Sequence, residues 1–364
     1  MLRKFVNDNL NSRLSEKLPN GTWEIKWVSP LFKGLKPDLT IQNNDRVLVK
    51  GNGVWQLFGT DGKQINTERF NNSDIVIDTA NNFIYCDTEN GVTAYNLSDG
   101  KLAFILSDIY GINYNRSFIS RDDNKFIVLS NEIEPHPHSD YEPENSYIEI
   151  QNLGGIQIDY LGFLKSAKRE KIYELPDDQV IMAKNDDNIV VSYTGKIELL
   201  DKDFKATPLY ENNFTTLSIS LDEDQNIYLI ILTENGIKEL HVITFSGNEV
   251  FKSEIPLTDE NYPPVLGYNG NIYLIIKNKI QVYNPEKGLV WEKSTGNIRG
   301  CLMLADNHLL VSEDKYIIAF DPEGERKFVF MFENEFPVTE PFLSSDGEIF
   351  VATQRNLYCL RIKK

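Results

Sequence analysis

The chain holds only three cysteines in 364 residues, Cys86, Cys301 and Cys359. Their number is odd and their spacing wide, which argues against a disulfide framework or a Cys-x-x-Cys metal site. All three sit in apolar strand-like runs, FIYC, CLML and LYCL, and read as small buried hydrophobes. No run approaches eighteen apolar residues, so no membrane-spanning helix is expected. The start, MLRKFVNDNLNSRLSEKL, lacks the continuous apolar core and small-residue cleavage site of a secretory signal. The expectation is a reducing, cytoplasmic setting. Catalytic signatures are scarce as well: there is no G-x-S-x-G elbow, no P-loop and no HExxH. Basic residues are in deficit, 37 against 54 acidic ones, for a formal charge of −17. That field repels phosphate backbones and excludes general nucleic-acid binding, while it speeds encounter with a basic partner.

What is present is a repeat. Residues 279–293, KIQVYNPEKGLVWEK, read as a strand, a tight glycine turn and a second strand. Looser copies occupy 53–65, 91–105, 146–161, 195–210, 237–251 and 315–330, and NLYCLRI (356–362) ends the series. A short apolar strand precedes each copy, as in RVLVK, NIVVSY and EIFVAT. Spacing near forty residues suits one four-stranded unit per copy. Asp-Gly at 61–62 and 99–100, Lys-Gly at 287–288 and Glu-Gly at 323–324 fall between the third and fourth strands, where glycine turns a hairpin tightly. The expected fold is all-β, an eight-bladed β-propeller, with seven blades as the alternative. TWEIKW, from Thr22, reads as a fourth strand without its first three, and the C-terminal copy lacks a fourth. Pairing Thr22–Val28 with Asn356–Ile362 would close the ring and leave no exposed edge. Residues 1–21 are expected as an amphipathic helix, on a stripe of Leu2, Val6, Leu10, Leu14 and Leu18; residues 22–364 are expected as one propeller domain.

The hairpins resemble those of pyrroloquinoline-quinone-type propellers, in which a third strand runs into Asp, a glycine turn and a strand ending on Trp. KIQVYNPEKGLVWEK matches best; YIIAFDPEGERKFVF and GVTAYNLSDGKLAFI carry Phe at the Trp position. The resemblance covers nearly the whole chain as a structural repeat and implies blades locked by outer-hairpin aromatics. Its superfamily holds quinone-dependent dehydrogenases and non-catalytic scaffolds. The enzymes typically carry adjacent cysteines against the cofactor and are longer. This chain has no such pair, so no cofactor is expected.

Two segments interrupt the repeat, 131–145 (NEIEPHPHSDYEPEN) and 162–178 (GFLKSAKREKIYELPDD). The second is basic in its middle and is expected to link two blades, with room for a helical turn. In propeller geometry both emerge where second-to-third loops and blade-to-blade connections lie. The first gathers Glu132, Glu134, His136, His138, Asp140, Tyr141, Glu142 and Glu144. Two imidazoles at i and i+2 of an extended segment point the same way and would suit a cation. Prolines at 135, 137 and 143 hold the segment extended rather than caging an ion. We therefore expect a partner-binding loop and no metal. His241 and His308, in a strand and a turn, read as structural, and acidic turns such as residues 222–226 as solvated. The functional expectation is a non-catalytic scaffold that binds a protein, possibly a basic one, and neither nucleic acid nor membrane. The alternatives are an immunity-type protein neutralising a basic toxin, and a carbohydrate-active or quinone-using enzyme with a channel site.

Overall fold

The computed structural model describes residues 17–363, apart from 44, 71–74, 79–81, 89–90, 107–117, 122–124, 133–144, 153–162, 165–167, 176–180, 185–188, 194, 202–204, 223, 258–262 and 277. The described residues are all-β, and the short helix expected over 1–21 falls almost wholly outside them. Their strands form eight sheets, seven of four strands and one of five. In chain order, the first sheet runs Leu39–Asn43, Arg46–Gly51, Val54–Gly59, Gln64–Arg69. The second runs Ile75–Asp78, Phe83–Thr88, Gly91–Asn96, Leu102–Leu106, and the third Phe118–Arg121, Lys125–Glu132, Asn145–Asn152, Lys168–Leu175. The fourth runs Ile181–Lys184, Ile189–Tyr193, Lys196–Leu200, Ala206–Glu211, and the fifth Phe214–Leu221, Asn226–Thr233, Lys238–Thr244, Glu249–Glu254. The sixth runs Val265–Leu266, Ile272–Ile276, Lys279–Asn284, Gly288–Ser294, and the seventh Ile298–Met303, Leu309–Glu313, Tyr316–Phe320, Arg326–Met331. Phe342–Leu343, Ile349–Ala352 and Asn356–Ile362 make the eighth, whose outer place is taken by Trp23–Pro30. The pairing expected between the two ends of the chain is present, and Lys363 N–H donates to Thr22 O at 2.7 Å.

The chain divides into two compact units, one built on Ser29–Asp178 and the other on Arg3–Val28 with Gln179–Lys364. Within each, the core is laid down between successive sheets. In the first unit Leu48, Trp55 and Leu57 of the first sheet meet Ile75, Ile84 and Cys86 of the second. In the second unit the fourth and fifth sheets share Val190, Ile197, Ile219 and Ile243, and the fifth and sixth share Leu240, Val242, Ile272 and Tyr283. The sixth and seventh share Ile280, Val282, Val311 and Phe320. Alternation explains the pattern: Ile280 and Val282 face the following sheet, Gln281 and Tyr283 the preceding one. With both faces covered, the inner strands read as unbroken apolar runs. Each fully buried aliphatic side chain contributes about 1.5–3 kcal/mol.

The outer strands need a different device. In seven sheets the third and fourth strands are offset by a β-bulge, and the extra residue is apolar: Ile65, Ala103, Ile172, Leu209, Val250, Val290 or Val329. A bulge flips the residues beyond it to the other face. It puts Trp291 opposite Val282, on the face toward the seventh sheet. There the indole stacks on Phe320 at 6.3 Å, and Nε1–H donates to Pro322 O at 2.9 Å. Gly324, at φ +83°, lets the hairpin come this close, because a Cβ there would stand 2.9 Å from the indole. The outer strand of the first sheet does the same with less bulk, Asn66 Nδ2–H donating to Gly100 O at 2.5 Å. Between the fourth and fifth sheets Leu209 O sits 2.5 Å from where a Cβ of Gly247 would be. The outer aromatic expected to wedge blades together does so at Trp291.

One expectation is corrected. The third copy, 146–161, was to supply a third and a fourth strand around Gly154-Gly155. Instead Asn145–Asn152 pairs with Lys168–Leu175, inside the segment expected to link two blades. That segment's described part is strand rather than helix. Phe163–Leu164 adds in parallel to Leu102–Leu106 of the second sheet. KREKIYEL is too charged to look like a strand by hydrophobicity. Charges on an outer strand discourage edge-to-edge pairing.

The seam yields a stability test. Trp291→Ala should cost about 3 kcal/mol, the low end for a large aromatic that is only partly buried. Trp291→Phe should cost about 1 kcal/mol, the value of the lost hydrogen bond. Urea unfolding measures both; an alanine variant as stable as the parent would show that the indole does not hold the seam.

Candidate functional site

Three residues before each hairpin turn opens, the third strand carries a buried polar side chain in five sheets: Gln56, Thr93, Glu198, His241 and Gln281. In the fifth and sixth sheets it faces the preceding sheet, and the first, fourth and sixth sheets satisfy it locally. Gln281 donates to Glu292 at 2.6 Å, Gln56 donates to Gln64 at 2.6 Å, and Glu198 pairs with Lys196 at 2.8 Å. In the fifth sheet the position holds His241, 1% exposed, and around it the structure opens a cleft of about 270 Å³.

The cleft lies at the end of the strands where second-to-third turns meet sheet-to-sheet connections. One wall is the connection from the fourth sheet to the fifth, with Tyr210, Asn212, Asn213 and Phe214. It is tied to the fourth sheet's turn: Gly195 N–H donates to Phe214 O at 3.0 Å and Asn212 N–H to Gly195 O at 2.9 Å. Gly195 has φ +73°, and a Cβ there would lie 2.7 Å from Asn212 O, so the contact requires glycine. The other wall is the fifth sheet's own turn, Thr233 to Ile237, closed by Gly236 N–H on Thr233 O at 2.9 Å. Glu234 sits on it and accepts from Asn213 Nδ2 at 3.1 Å, joining the two walls at the rim.

Glu239 and His241 form the floor, two residues apart and so on one strand face. His241 Nε2 lies 2.8 Å from Glu239 Oε2, and Lys252 Nζ reaches the same oxygen at 2.9 Å. His241 Nδ1 is 3.0 Å from Glu249 Oε2 but makes no aligned hydrogen bond. The Tyr210 ring stands edge-on to the imidazole at 6.0 Å. Burial pushes the Glu239 carboxyl up, but hydrogen bonds and charge from His241 and Lys252 outweigh it and hold the group below its ordinary range. The bond to Glu239 raises the Lys252 ammonium above its own. These shifts fix a carboxylate and an ammonium; neither group is poised to trade protons near neutrality. The arrangement can bind by charge and hydrogen bond.

The loop residues expected to bind a partner are placed only at their base. Glu132 ends its strand opposite Asn145, and Glu134, His136, His138, Asp140, Tyr141, Glu142 and Glu144 lie outside the described residues. His241 is in a strand as expected, but it is part of a charged floor. Asp222, in an acidic turn expected to be solvated, is 9% exposed and accepts from Asn226 and Tyr228. Among the described residues no group of three or more His, Cys, Asp or Glu could hold a metal ion. The three cysteines are buried and form no disulfide, and burial pushes the Cys301 and Cys359 thiols far up, as expected of inert core residues. No helix among the described residues is long and apolar enough to cross a membrane.

No protein-family model matches the sequence, and no curated protein matches it. Among solved structures the chain is similar to BamB from Moraxella catarrhalis, with a TM-score of 0.61 and 10% identity over 94% of this chain and 100% of that one. It is also similar to Hsv2 of Kluyvelomyces marxianus, with a TM-score of 0.52 and 9% identity over 82% and 100%. Virginiamycin B lyase from Staphylococcus aureus stands at 0.49 and 13%, over 94% and 100%, too loose to argue from. At such identities the likeness is one of fold, of the β-propeller kind.

The charged floor should shape stability against pH. A carboxyl held below its ordinary 4.5 contributes stability that is present above that value and lost as pH falls through the folded value. An ammonium raised above 10.5 contributes fully below that value and loses it as pH rises through the folded one. Urea midpoints should therefore fall more steeply below pH 4.5 in the parent than in Glu239→Gln, and more steeply above pH 10.5 than in Lys252→Met. Parallel curves would remove the floor from the account.

Proposed function

We propose that the protein is a non-catalytic scaffold: a single eight-bladed propeller over residues 22–364, closed by its first strand, that binds a protein partner. The binding surface is the end of the strands bearing second-to-third turns and sheet-to-sheet connections. One observation carries this reading. Among the described residues the two most exposed large hydrophobics, Leu257 (70%) and Phe336 (61%), both lie on sheet-to-sheet connections. Isolated exposed apolar residues are ordinary, but loops need none, and apolar anchors on two connections that also carry acidic residues suit an interface. Glu234, Glu333, Glu335 and Glu340 belong to turns and connections of the same kind. With a formal charge of −17, they favour a partner with a basic face. The acidic segment Glu132 to Glu144 is the second candidate for contact with the partner, and a cytoplasmic site of action is the natural setting.

The test is a pull-down with the intact chain, identifying the recovered partner and measuring its affinity. Leu257→Ser with Phe336→Ser should weaken it by about ten- to a hundredfold, as for two interface anchors at roughly 1 kcal/mol or more each. Removing residues 133–143 should weaken it further, and raised salt should do so throughout. A partner held equally well by the parent and both variants would overturn the reading.

A further inference from the structure

We infer that the cleft over Glu239 and His241 receives a basic side chain, lysine or arginine, of the protein partner; this rests on the partner reading above and names what the partner inserts. The cleft, at about 270 Å³, has room for one long side chain but not for a folded segment. Its charge is unbalanced toward acid. Glu234 on the rim and Glu239 on the floor line it with one cation, Lys252, and a third carboxylate, Glu249, stands outside the lining against His241. An anionic ligand would meet net repulsion, a cation net attraction.

The floor already accepts such a group. Lys252 reaches from the exposed outer strand and sets its ammonium 2.9 Å from Glu239, which shows the wall binding a primary ammonium in place. Beside it the buried His241 imidazole lines the same cleft and leaves Nδ1 without an aligned hydrogen bond, 3.0 Å from Glu249 Oε2. Phe214, Ile231 and Ile237 line the rest of the cleft, and the Tyr210 ring stands beside the imidazole. They offer an apolar path for the methylene stem and ring faces for the head group.

The experiment uses the full chain and three probes: Nα-acetyl-lysine methylamide, its uncharged norleucine counterpart and a methyl glucoside. Saturation-transfer NMR measures binding, and the His241 ring signals report location. The lysine amide alone should bind saturably and shift the His241 ring. Glu234→Gln should weaken it roughly fivefold, the most an exposed ion pair usually gives. Ile237→Arg, at a half-exposed rim position, should fill the cleft and abolish binding, with an unchanged unfolding midpoint as the folding control. Norleucine binding as tightly as lysine, or the glucoside binding in its place, would overturn the inference. Leu257→Ser with Phe336→Ser should leave lysine-amide binding unchanged while releasing the partner. If that pair releases the partner and Ile237→Arg does not weaken it, the inference falls and the partner reading stands. If the lysine amide binds while neither surface variant affects the partner, the partner reading falls and takes the identity of the inserted group with it.

Discussion

The structure depends on how each outer strand is held. A four-stranded meander buries its first three strands between neighbours but leaves the fourth with one face in water and one edge unpaired. The chain anchors that strand to the hairpin of the following sheet. Trp291 donates to Pro322 O, Asn66 donates to Gly100 O, and Leu209 lies against Gly247. The anchors differ chemically but converge on one target, the tight turn between third and fourth strands. Hydroxyls make a matching set deeper in, where Ser220 donates to Pro264 O and Ser312 to Thr339 O. Some seams are thus fastened at the outer hairpin and others deeper in, with apolar side chains filling the space between.

The bulge makes the outer fastening possible. Counting back from the hairpin without one, Trp291 would stand opposite Gln281 and face the preceding sheet. The extra residue Val290 moves it opposite Val282 and turns it toward the seventh sheet. A single inserted aliphatic residue therefore decides which neighbour an outer strand belongs to. The same slip in seven sheets, each with an apolar residue at the slip, means that the geometry is built into the repeat.

This also explains what could be read in advance. Glycine turns and period-two alternation are local signals, so the hairpins at 53–65, 91–105 and 279–291 were legible, as was the pairing of the two chain ends. The fourth strand of the third sheet was not, because Lys168–Leu175 is charged and Gly154-Gly155 offered a nearer turn. The cleft was hidden for a subtler reason. ELHVIT looks like a core strand with an incidental histidine, and straight counting places Phe251 opposite His241 and Lys252 on the far face. The bulge at Val250 brings Lys252 opposite His241 instead. Register flips of one residue leave no trace in composition or spacing.

Buried charge is costly unless it is paired and hydrogen-bonded. The third-strand position that becomes His241 shows how a repeat can bear that cost at one place. In the first and sixth sheets it is glutamine, a neutral side chain satisfied across the hairpin by Gln64 or Glu292. In the fourth it is Glu198, neutralised by Lys196 on its own strand. Only in the fifth do an imidazole, two carboxylates and an ammonium meet there, with an open cleft above them among the described residues. Since the backbone already tolerates a polar group at this register, replacing an amide by a charge needs a nearby counter-charge and no new fold. A propeller can therefore acquire a binding pocket between two blades by substitution at one repeated position. The cleft then lies beside the turns and sheet-to-sheet connections at that end of the strands.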